Sequence, residues 1–382
     1  MISGRSSSVS QRVLVLGGVS RSLINFRGPM LQSLKAAGCV VVAAAPNDEA
    51  AAEVAATLEG WGIQFRPVEL ARGGTNPISD WVTLGAIKTL LREVKPDAFV
   101  AYTVKPVVYG GIAARALGRI RFFPMITGLG YAFTEGFGFK RAFLRKVVTE
   151  LYRRGLRGAE KVIFQNPDDQ ALFEELGLVR DPRQSVRVYG SGVDLEEFPQ
   201  QPLPEEPVFL MLARLIADKG VREYVEAARQ VRRRYPQARF LLGGGLDPNP
   251  AGIGQAEVDG WVAEGAVEYL GSVHPVQPVL AQCRYFVLPS YREGTPRCVL
   301  EAMATGRPVI TTDAPGCRET VVDGENGYLV PVKDAKALQA AMEKFLEQPE
   351  LAETMGRKSL ELAREKYDVH KVNATIMEAM GL

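Results

Sequence analysis

The sequence predicts an α/β protein with two Rossmann-like domains, each built on a parallel β-sheet. Short apolar runs recur along the chain without polar alternation, and such runs are typical of strands buried on both faces. The segments between the runs are long enough for helices, which gives the β-α-β pattern of parallel sheets. The pattern stops at residues 196–207, which are rich in proline and glutamate, and then starts again.

Nine apolar runs are expected to be strands. They lie at residues 13–18, 39–46, 98–103, 121–127, 161–166, 208–214, 239–245, 285–290 and 308–313. Open parallel sheets bind ligands beyond the carboxyl ends of their strands. We therefore expect a ligand cleft between the carboxyl edges of the two sheets.

The interruption of this pattern sets the expected domain boundaries. They are a disordered polar tail at 1–11, a first domain at 12–198, a linker at 199–207, a second domain at 208–364 and a C-terminal helical segment at 365–382. Two domains also fit the length of 382 residues, since single cores rarely grow beyond about 250 to 300 residues.

Composition excludes several classes of protein. The chain carries 46 basic and 44 acidic residues, so no overall field favours nucleic acid. Cys39, Cys283, Cys298 and Cys317 form no C-x-x-C pair, which argues against a disulfide framework or a zinc site and favours a reducing cytoplasm. No run reaches the length of a membrane span. We expect a soluble or peripherally attached protein.

The segment 289–330 carries the strongest candidate site. A strand is expected to end at Ser290, a loop carries Glu293-Gly294-Thr295, and Pro296 stands where a helix would begin. Free amides at a helix start offer an anion site, and Glu293 and Glu301 could accept hydrogen bonds from hydroxyls of one extended ligand. Taken alone, the two carboxylates are more typical of a capped helix with a solvated first-turn glutamate.

The context of these carboxylates resembles the family 4 retaining glycosyltransferases, which have the two-domain GT-B fold. The E-x7-E spacing follows LPS and precedes GRPVI, a D-x-x-G turn and GYLV. The resemblance implies that Glu301 holds the ribose hydroxyls and that Glu293 holds hydroxyls of the transferred sugar. Backbone amides at Gly294, Thr295 and Arg297 would face the sugar and the diphosphate.

Two cations are expected to complete the donor site. Arg214 ends a predicted strand and Lys219 precedes an amphipathic helix, a suitable clamp for a diphosphate, although exposed cations are usually only solvated. The family has basic residues at both positions, which implies that Arg214 and Lys219 stabilise the leaving group. The family also places the nucleotide against the turn at Gly243 and Gly244, which could otherwise be only a tight turn.

The first half of the chain offers weaker signals. Gly17 and Gly18 follow the first strand and could present amides to a phosphate, but no G-x-G-x-x-G fingerprint follows, which disfavours a nicotinamide enzyme. The segments 102–106 and 126–136 resemble bacterial polyprenyl-diphosphate oligosaccharide transferases. This resemblance makes Lys105, Thr127 and Gly128 candidate contacts to the acceptor or the sugar.

The chain departs from the family pattern at Thr127. Many members carry a histidine after this strand, whereas the only histidines here are His274 and His370, to which we assign no catalytic role.

The segment 247–271 is similar to transferases that add N-acetylgalactosamine to undecaprenyl-diphosphate-linked sugar. The last segment, 365–382, resembles the family helix that crosses back to the first domain.

A basic amphipathic helix is expected between residues 140 and 157. Apolar residues recur on one side, and the other side carries cations that are candidate contacts to an anionic membrane, namely Arg141, Arg145, Lys146 and Arg153. The alternative is an ordinary domain helix whose basic face is solvated. Both interpretations can hold together.

The resemblance implies a metal-independent transfer without any cofactor, because the two cations take the place of a metal. The expected donor is a UDP-linked hexose or N-acetylhexosamine, and the expected acceptor is a hydroxyl of a polyprenyl-diphosphate-linked saccharide. The first domain would bind the acceptor and the second the donor, at the inner face of the plasma membrane. A soluble acceptor, a sugar-nucleotide epimerase on the same fold and a non-enzymatic scaffold remain as alternatives.

Overall fold

The computed structural model describes residues 10–70, 77–129, 139–247 and 251–382. The predicted tail at 1–11 lies outside the described residues as far as residue 9. The chain divides into two compact units. The first comprises Met1–Val188 and Asn373–Leu382, and the second comprises Tyr189–Val372.

The first unit contains a seven-stranded sheet in the order β3-β2-β1-β4-β5-β6-β7. Its strands are β1 (Arg12–Leu16), β2 (Val40–Ala45), β3 (Gln64–Pro67), β4 (Ala98–Tyr102), β5 (Arg121–Ile126), β6 (Val162–Phe164) and β7 (Ser185–Arg187). Every neighbouring pair is parallel. The central strands are buried on both faces, as their continuous apolar runs predict.

Helices connect these strands. They are α1 (Arg21–Asn25), α2 (Gly28–Ala36), α3 (Ala51–Gly60), α4 (Pro77–Val94), α5 (Val104–Leu117), α6 (Phe139–Leu156) and α7 (Pro167–Glu175), and a short 3-10 helix lies at Pro182–Gln184. Helix α7 shows the local logic of a helix start: the Asn166 side chain accepts a hydrogen bond from the Asp169 amide, and proline occupies the first turn.

The second unit contains a six-stranded parallel sheet in the order β10-β9-β8-β11-β12-β13. Its strands are β8 (Val208–Leu212), β9 (Arg239–Gly243), β10 (Glu268–Gly271), β11 (Tyr285–Leu288), β12 (Val309–Thr312) and β13 (Gly327–Val330). Strands β8 and β11 are adjacent at the centre. The carboxyl ends of β8, β9, β11 and β12 therefore meet at one edge.

The helices of this unit are α8 (Val221–Arg234), α9 (Gln255–Ala263), α10 (Gln277–Gln282), α11 (Arg297–Ala304), α12 (Ala335–Glu347) and α13 (Leu351–Lys366), with short 3-10 helices at Ala217–Lys219 and Arg318–Thr320. Helix α14 (Val369–Met380) begins in the second unit and continues into the first. The predicted α/β class with two parallel-sheet Rossmann-like domains is confirmed.

The two ends of the second unit lie side by side. The Val193 amide donates to the Tyr367 carbonyl at 2.8 Å, and the Val369 amide donates to the Val193 carbonyl at 3.0 Å. A Cβ on Gly192 would lie 2.6 Å from the Cα of Val369. The segment after Tyr189 is thus bound to the segment before Val372 by backbone contacts.

The unit boundary differs from the predicted boundary at residue 198, and the predicted linker at 199–207 lies inside the second unit. The reason is the fully buried Arg307, which donates to the Gln201 carbonyl at 2.7 Å and to the Pro202 carbonyl at 3.0 Å. The Arg284 guanidinium also donates to the Pro204 carbonyl. These bonds attach the proline-rich segment to the second sheet.

The C-terminal segment also divides at a different point from the predicted 365. Residues 373–382 belong to the first unit, where Arg121 Nη2 donates to the Met380 carbonyl at 2.8 Å. Among the described residues, no helix has both the length and the apolar character that a bilayer crossing requires.

Candidate active site

The candidate donor residues follow the central strands of the second sheet. Arg214 lies after β8, Gly243 ends β9 and Glu293 lies after β11. Parallel pairing of β8 with β9 and with β11 brings these three chain segments to the same edge of the sheet. This is the edge at which open parallel sheets bind ligands.

Lys219 and Glu293 form an ion pair between Nζ and Oε1, and both side chains are largely buried. Lys219 is the last residue of the 3-10 helix at Ala217–Lys219. Hydrogen bonds to the preceding residue, Asp218, hold this helix in place. The Asp218 carbonyl accepts hydrogen bonds from the Tyr291 amide at 2.9 Å and from Ser290 Oγ at 3.2 Å. The loop after β8 is therefore held against the loop after β11.

Gly220 makes this approach possible. It has a left-handed φ of +73°, and a Cβ at this position would lie 2.1 Å from the Pro289 carbonyl oxygen. Only glycine fits both the conformation and the contact. The Tyr291 hydroxyl adds a further link by donating to Glu223 Oε1 on α8 at 2.6 Å, and burial with this bond raises the pKa of Tyr291.

The backbone of Glu293 is fixed on its other side by the turn after β12. The Glu293 amide donates to the Pro315 carbonyl at 2.9 Å. Gly316 has a φ of +80°, and a Cβ there would lie 2.1 Å from the Glu293 carbonyl oxygen. The carboxylate of Glu293 is thus presented by a loop that is packed from two sides.

Helix α11 begins one residue later than predicted. Pro296 is the N-cap in an extended conformation, and Arg297 is the first helical residue. Proline has no side-chain acceptor, but its carbonyl accepts hydrogen bonds from the Val299 amide at 3.0 Å and from the Leu300 amide at 3.3 Å. Thr295, just before the helix, packs on Gly190, where a Cβ would lie 2.7 Å from the Thr295 Cβ.

Glu301 is one helical turn beyond Arg297 and is 8% exposed. Burial raises the pKa of Glu301 from 4.5 to about 7, the positive charge of Arg297 opposes that rise, and the negative charge of Glu197 adds to it. The Arg297 Nε atom lies 2.7 Å from Glu301 Oε1. The structure therefore brings together Arg297 and Glu301 as a second ion pair.

Arg214 has a different partner. Its Nη1 donates to Asp247 Oδ2 at 2.8 Å, and its side chain is 66% exposed. The structure thus unites Lys219 with Glu293 and Arg214 with Asp247, rather than placing the two predicted cations in one contact. The role of Arg214 at a diphosphate stays a prediction.

Gly243 and Gly244 are required by close packing. A Cβ on Gly243 would lie 2.6 Å from Leu212 Cδ2, and a Cβ on Gly244 would lie 1.7 Å from the Ala213 carbonyl oxygen. The Gly244 amide donates to the Gly271 carbonyl at 2.7 Å. The turn has a structural reason for its glycines, and nucleotide contact there stays a prediction.

In the first unit, Gly17 and Gly18 also lie at the carboxyl edge of their sheet. The Gly17 amide donates to the Ala44 carbonyl at 2.9 Å, so this amide already has an acceptor. A Cβ on Gly17 would lie 2.3 Å from the Tyr102 hydroxyl, and one on Gly18 would lie 2.5 Å from Thr103 Oγ1. Close packing explains both glycines, and their contact with a donor stays a prediction.

The remaining candidates of the first unit also lie at this edge. Thr127 and Gly128 follow β5, and Gly128 has a φ of +124°. Lys105 Nζ lies 3.0 Å from Asp80 Oδ1, and this pair joins the first turns of α5 and α4. Their proposed contact with sugar or acceptor stays a prediction.

The basic helix is α6. Arg145 and Lys146 are exposed, whereas Arg153 forms an ion pair with Glu150 at 2.7 Å. The side chain of Arg141 lies outside the described residues. Helical spacing groups Phe143 with the apolar residues of this helix, but in the structure Phe143 is 63% exposed.

Sequence reasoning missed the residues that support the site. Gly220 and Gly316 were not recognised, although a Lys-Gly pair and a Pro-Gly pair are turn signals. Asp247, the partner of Arg214, and Glu197, which lies 3.9 Å from Arg297, are too far away in sequence from these arginines to give a spacing signal. Only the folded chain shows these pairs.

Comparison with known proteins finds glycosyltransferase domains in both halves of the chain. The description "Glycosyl transferase 4-like domain" matches residues 28–190, and "Glycosyl transferases group 1" matches residues 206–348. One relative is the N,N'-diacetylbacillosaminyl-diphospho-undecaprenol alpha-1,3-N-acetylgalactosaminyltransferase of Campylobacter jejuni. The two chains are 28% identical over 354 residues, and the matched region covers 89% of this chain and 90% of that protein. The chain is 32% identical to the putative colanic acid biosynthesis glycosyltransferase WcaL of Escherichia coli, over 51% of this chain and 50% of that protein.

Solved structures share the fold. Sucrose-phosphate synthase from Thermosynechococcus elongatus superposes with a TM-score of 0.80 at 20% identity, over 97% of this chain and 98% of that chain. Anabaena Alr3699/HepE in complex with UDP and glucose gives a TM-score of 0.77 at 20% identity, over 97% of this chain and 99% of that chain. With both domain types matched along the chain, this protein belongs to the glycosyltransferases that join a glycosyl transferase 4-like domain to a group 1 glycosyl transferase domain.

Proposed function

We propose that this glycosyltransferase transfers a hexose or N-acetylhexosamine from a UDP-sugar to a hydroxyl of a polyprenyl-diphosphate-linked saccharide, with retention of the anomeric configuration. The product would serve bacterial cell-surface glycan or glycoprotein assembly. The acceptor class is supported by the Campylobacter jejuni relative, whose name specifies a diphospho-undecaprenol acceptor. The donor class is supported by Anabaena Alr3699/HepE, which binds UDP and glucose.

The Lys219–Glu293 ion pair carries the proposal. A cation and an anion that are in contact at the ligand-binding edge can interact with adjacent parts of one donor, the ammonium with the diphosphate and the carboxylate with sugar hydroxyls. The charge of the leaving diphosphate grows in the transition state, and a fixed cation stabilises it there more than in the ground state.

The same pair supports front-face departure of the leaving group. A carboxylate bound to an ammonium group is a weaker nucleophile than a free one, so Glu293 is poorly suited to form a covalent sugar intermediate. In the proposed reaction the donor diphosphate takes the acceptor proton while Lys219 and Arg214 stabilise its negative charge. These two cations serve in place of a metal ion, and the proposal includes no cofactor.

The first experiment is a donor and acceptor screen. UDP-, GDP- and dTDP-sugars are each combined with undecaprenyl-diphosphate-linked saccharides, with and without EDTA, and nucleotide release is measured. We expect release with a UDP-sugar that EDTA does not reduce, and NMR of the product should show the anomeric configuration of the donor. Absence of release with every donor, or full activity of Glu293→Ala, would overturn the proposal.

A soluble acceptor is the main alternative and the same assay separates it. Replacing the lipid-linked acceptor by the free saccharide leaves the sugar hydroxyls unchanged and removes the polyprenyl diphosphate. We expect kcat/KM to fall strongly with the free saccharide. Equal rates would assign the enzyme to soluble acceptors.

We further propose that the enzyme works at the inner face of the plasma membrane and contacts anionic lipid through α6. Arg145 and Lys146 are exposed on this helix, and each cation near an anionic surface contributes about 1 kcal/mol. Flotation with phosphatidylglycerol vesicles tests the contact after neutralising the four candidates, Arg141, Arg145, Lys146 and Arg153. The control neutralises four exposed cations elsewhere, namely Arg92, Arg233, Arg357 and Arg364. Equal binding of both variants would remove the claim.

A further inference from the structure

Three charged side chains form a chain of contacts at the start of α11. Arg297 lies between two carboxylates: its Nε is 2.7 Å from Glu301 Oε1, and its Nη2 is 3.9 Å from Glu197 Oε2. The exposure of the side chains falls along this series, from 51% for Glu197 to 21% for Arg297 and 10% for Glu301. The buried end of the series is the predicted ribose ligand.

We propose that Arg297 is a positioning residue that holds the Glu301 carboxylate as an oriented anion for the ribose hydroxyls of the donor, and that Glu197 weakens this hold. The inference rests on the proposed function, which assigns the ribose to Glu301. It adds two side chains that the resemblance did not use, because there only the backbone amide of Arg297 had a role.

The chemistry of the carboxyl group explains why it needs a cation. An ionised carboxylate accepts hydrogen bonds at both oxygens, so it can bind two adjacent hydroxyls, whereas a protonated carboxyl has one donor and fewer acceptor positions. Arg297 Nε lies 2.7 Å from Oε1, which keeps a positive charge beside the carboxylate. Without this contact, burial favours the protonated form.

The charges around Glu301 act in opposite directions. Burial raises the pKa of Glu301 to about 7, Arg297 lowers this pKa, and Glu197 raises it. Helix α11 also packs against β11, β12 and α13, but within the described part of the chain Arg297 and Glu197 are the charged side chains that act on this carboxyl. The nearby Cys298 thiol has its own pKa raised by burial, with Glu293 and Glu301 adding to the rise, so it stays neutral.

Two substitutions therefore predict shifts of opposite sign. In Arg297→Gln the carboxyl loses its counter-ion, so the apparent pKa in the pH profile of UDP binding should move upward and the Kd at pH 7 should rise by about tenfold or more. In Glu197→Gln the opposing charge is lost, and the apparent pKa should move downward. Arg297→Lys keeps the charge and should restore most of the affinity.

The measurement is UDP binding by calorimetry between pH 5.5 and pH 9, combined with the donor KM and the kcat at each pH. We expect the wild-type protein to bind UDP more weakly as pH falls below 7, and we expect the variants to change KM more than kcat. Equal shifts of both variants in the same direction, or a flat pH profile, would overturn the inference.

A second readout needs no nucleotide. The carboxyl titration of Glu301 can be followed in the free protein by NMR after selective carbon-13 labelling of glutamate, with Glu301→Gln to assign the signal. Opposite shifts in Arg297→Gln and Glu197→Gln support the electrostatic arrangement, and unshifted titration overturns it. If the titrations shift as expected but wild-type protein binds no UDP, the proposed donor nucleotide is wrong, and the electrostatic arrangement of Arg297, Glu301 and Glu197 stands without it.

Discussion

Lys219 and Glu293 are ion-pair partners although 74 positions separate them in the chain. Their contact is a consequence of sheet order, because β8 and β11 are adjacent parallel strands and the loops that follow them meet at one edge. Glycine at 220 and at 316 allows both loops to pack closely enough. The fold itself therefore places these two opposite charges side by side.

The first prediction concerns this pair. Lys219→Ala and Glu293→Gln should each lower kcat/KM by about 10²- to 10³-fold, because each removes one of the charged contacts proposed to act on the donor in the transition state. In the double variant the fold decrease in kcat/KM should be smaller than the product of the two single decreases. The reason is that each single change also removes the counter-ion of the residue that remains. Steady-state kinetics with the donor found in the screen measures all three.

The control for the pair is Lys358→Ala, which removes a lysine from an exposed ion pair of the same unit, with Glu361 at 3.3 Å. Its kcat/KM should equal that of the wild-type protein. Fully multiplicative losses in the double variant would mean that Lys219 and Glu293 act independently.

The second prediction is that Glu301 destabilises the fold at alkaline pH. Its pKa is raised from 4.5 to about 7, so between these pH values the folded state binds more protons than the unfolded state, and stability falls as pH rises. Glu301→Gln should therefore increase the free energy of unfolding by ~1–3 kcal/mol at pH 8 and change it little at pH 4.5. Calorimetric unfolding at both pH values measures the difference.

The matched control is Glu361→Gln, which changes a carboxylate that is 55% exposed on α13. It should have a small effect at either pH. If the stabilisation by Glu301→Gln is the same at pH 4.5 and pH 8, the carboxyl does not titrate between these values. Reduced donor binding in the same variant would show that Glu301 supports donor binding while it lowers the stability of the fold.

The third prediction concerns Gly316. In Gly316→Ala the new Cβ would meet the Glu293 carbonyl oxygen at 2.1 Å, so the loop must move. We expect the unfolding free energy to fall by ~2–4 kcal/mol, from backbone strain and overpacking together. We also expect kcat/KM to fall, because the displaced loop carries the Glu293 carboxylate.

Gly324→Ala separates these two causes. Gly324 has a φ of +78°, close to the +80° of Gly316, but a Cβ there would meet nothing within 4 Å. It should cost only the backbone strain, roughly 1 kcal/mol, and should leave kcat/KM unchanged. Similar losses of activity in both variants would contradict the proposed packing of the Glu293 loop.

The fourth prediction is that Arg307→Met strongly destabilises the second unit. Arg307 is fully buried, and its guanidinium donates to the Gln201, Pro202, Leu280 and Thr305 carbonyls. Methionine fills similar space but leaves these carbonyls unsatisfied, with an expected loss of ~2–5 kcal/mol. Urea unfolding measures this loss. The control is Arg233→Met at an exposed position, which should change the free energy of unfolding by no more than about 0.5 kcal/mol.

Much of the fold follows from local patterns in the sequence. Each of the nine apolar runs contains a strand, whereas β3, β7, β10 and β13 were missed. These four are the edge strands of the two sheets, and β3, β7 and β10 in particular are largely exposed or half-buried. Strands at an edge need no continuous apolar run, so the signal that finds central strands does not find them.

The sequence indicated which residues lie at this edge of the sheet but not how they pair. Glu293, Glu301, Arg214 and Lys219 were selected from motif and resemblance, yet the Lys219–Glu293 and Arg214–Asp247 pairs join distant segments of the chain. The proline-rich segment at 199–207 was interpreted as a linker because its composition is polar. Composition cannot show that one buried arginine, Arg307, more than 100 positions away, binds its carbonyls.

The bridge between Val193 and Val369 has a consequence for engineering. Because the second unit starts at Tyr189 and ends at Val372, and its ends are joined by backbone hydrogen bonds, it is topologically an insertion into the first unit. A chimera can therefore exchange residues 189–372 as one cassette through two adjacent junctions. Such an exchange leaves the sheet and helices of the first unit unchanged, so it assigns each change in substrate preference to one of the two units.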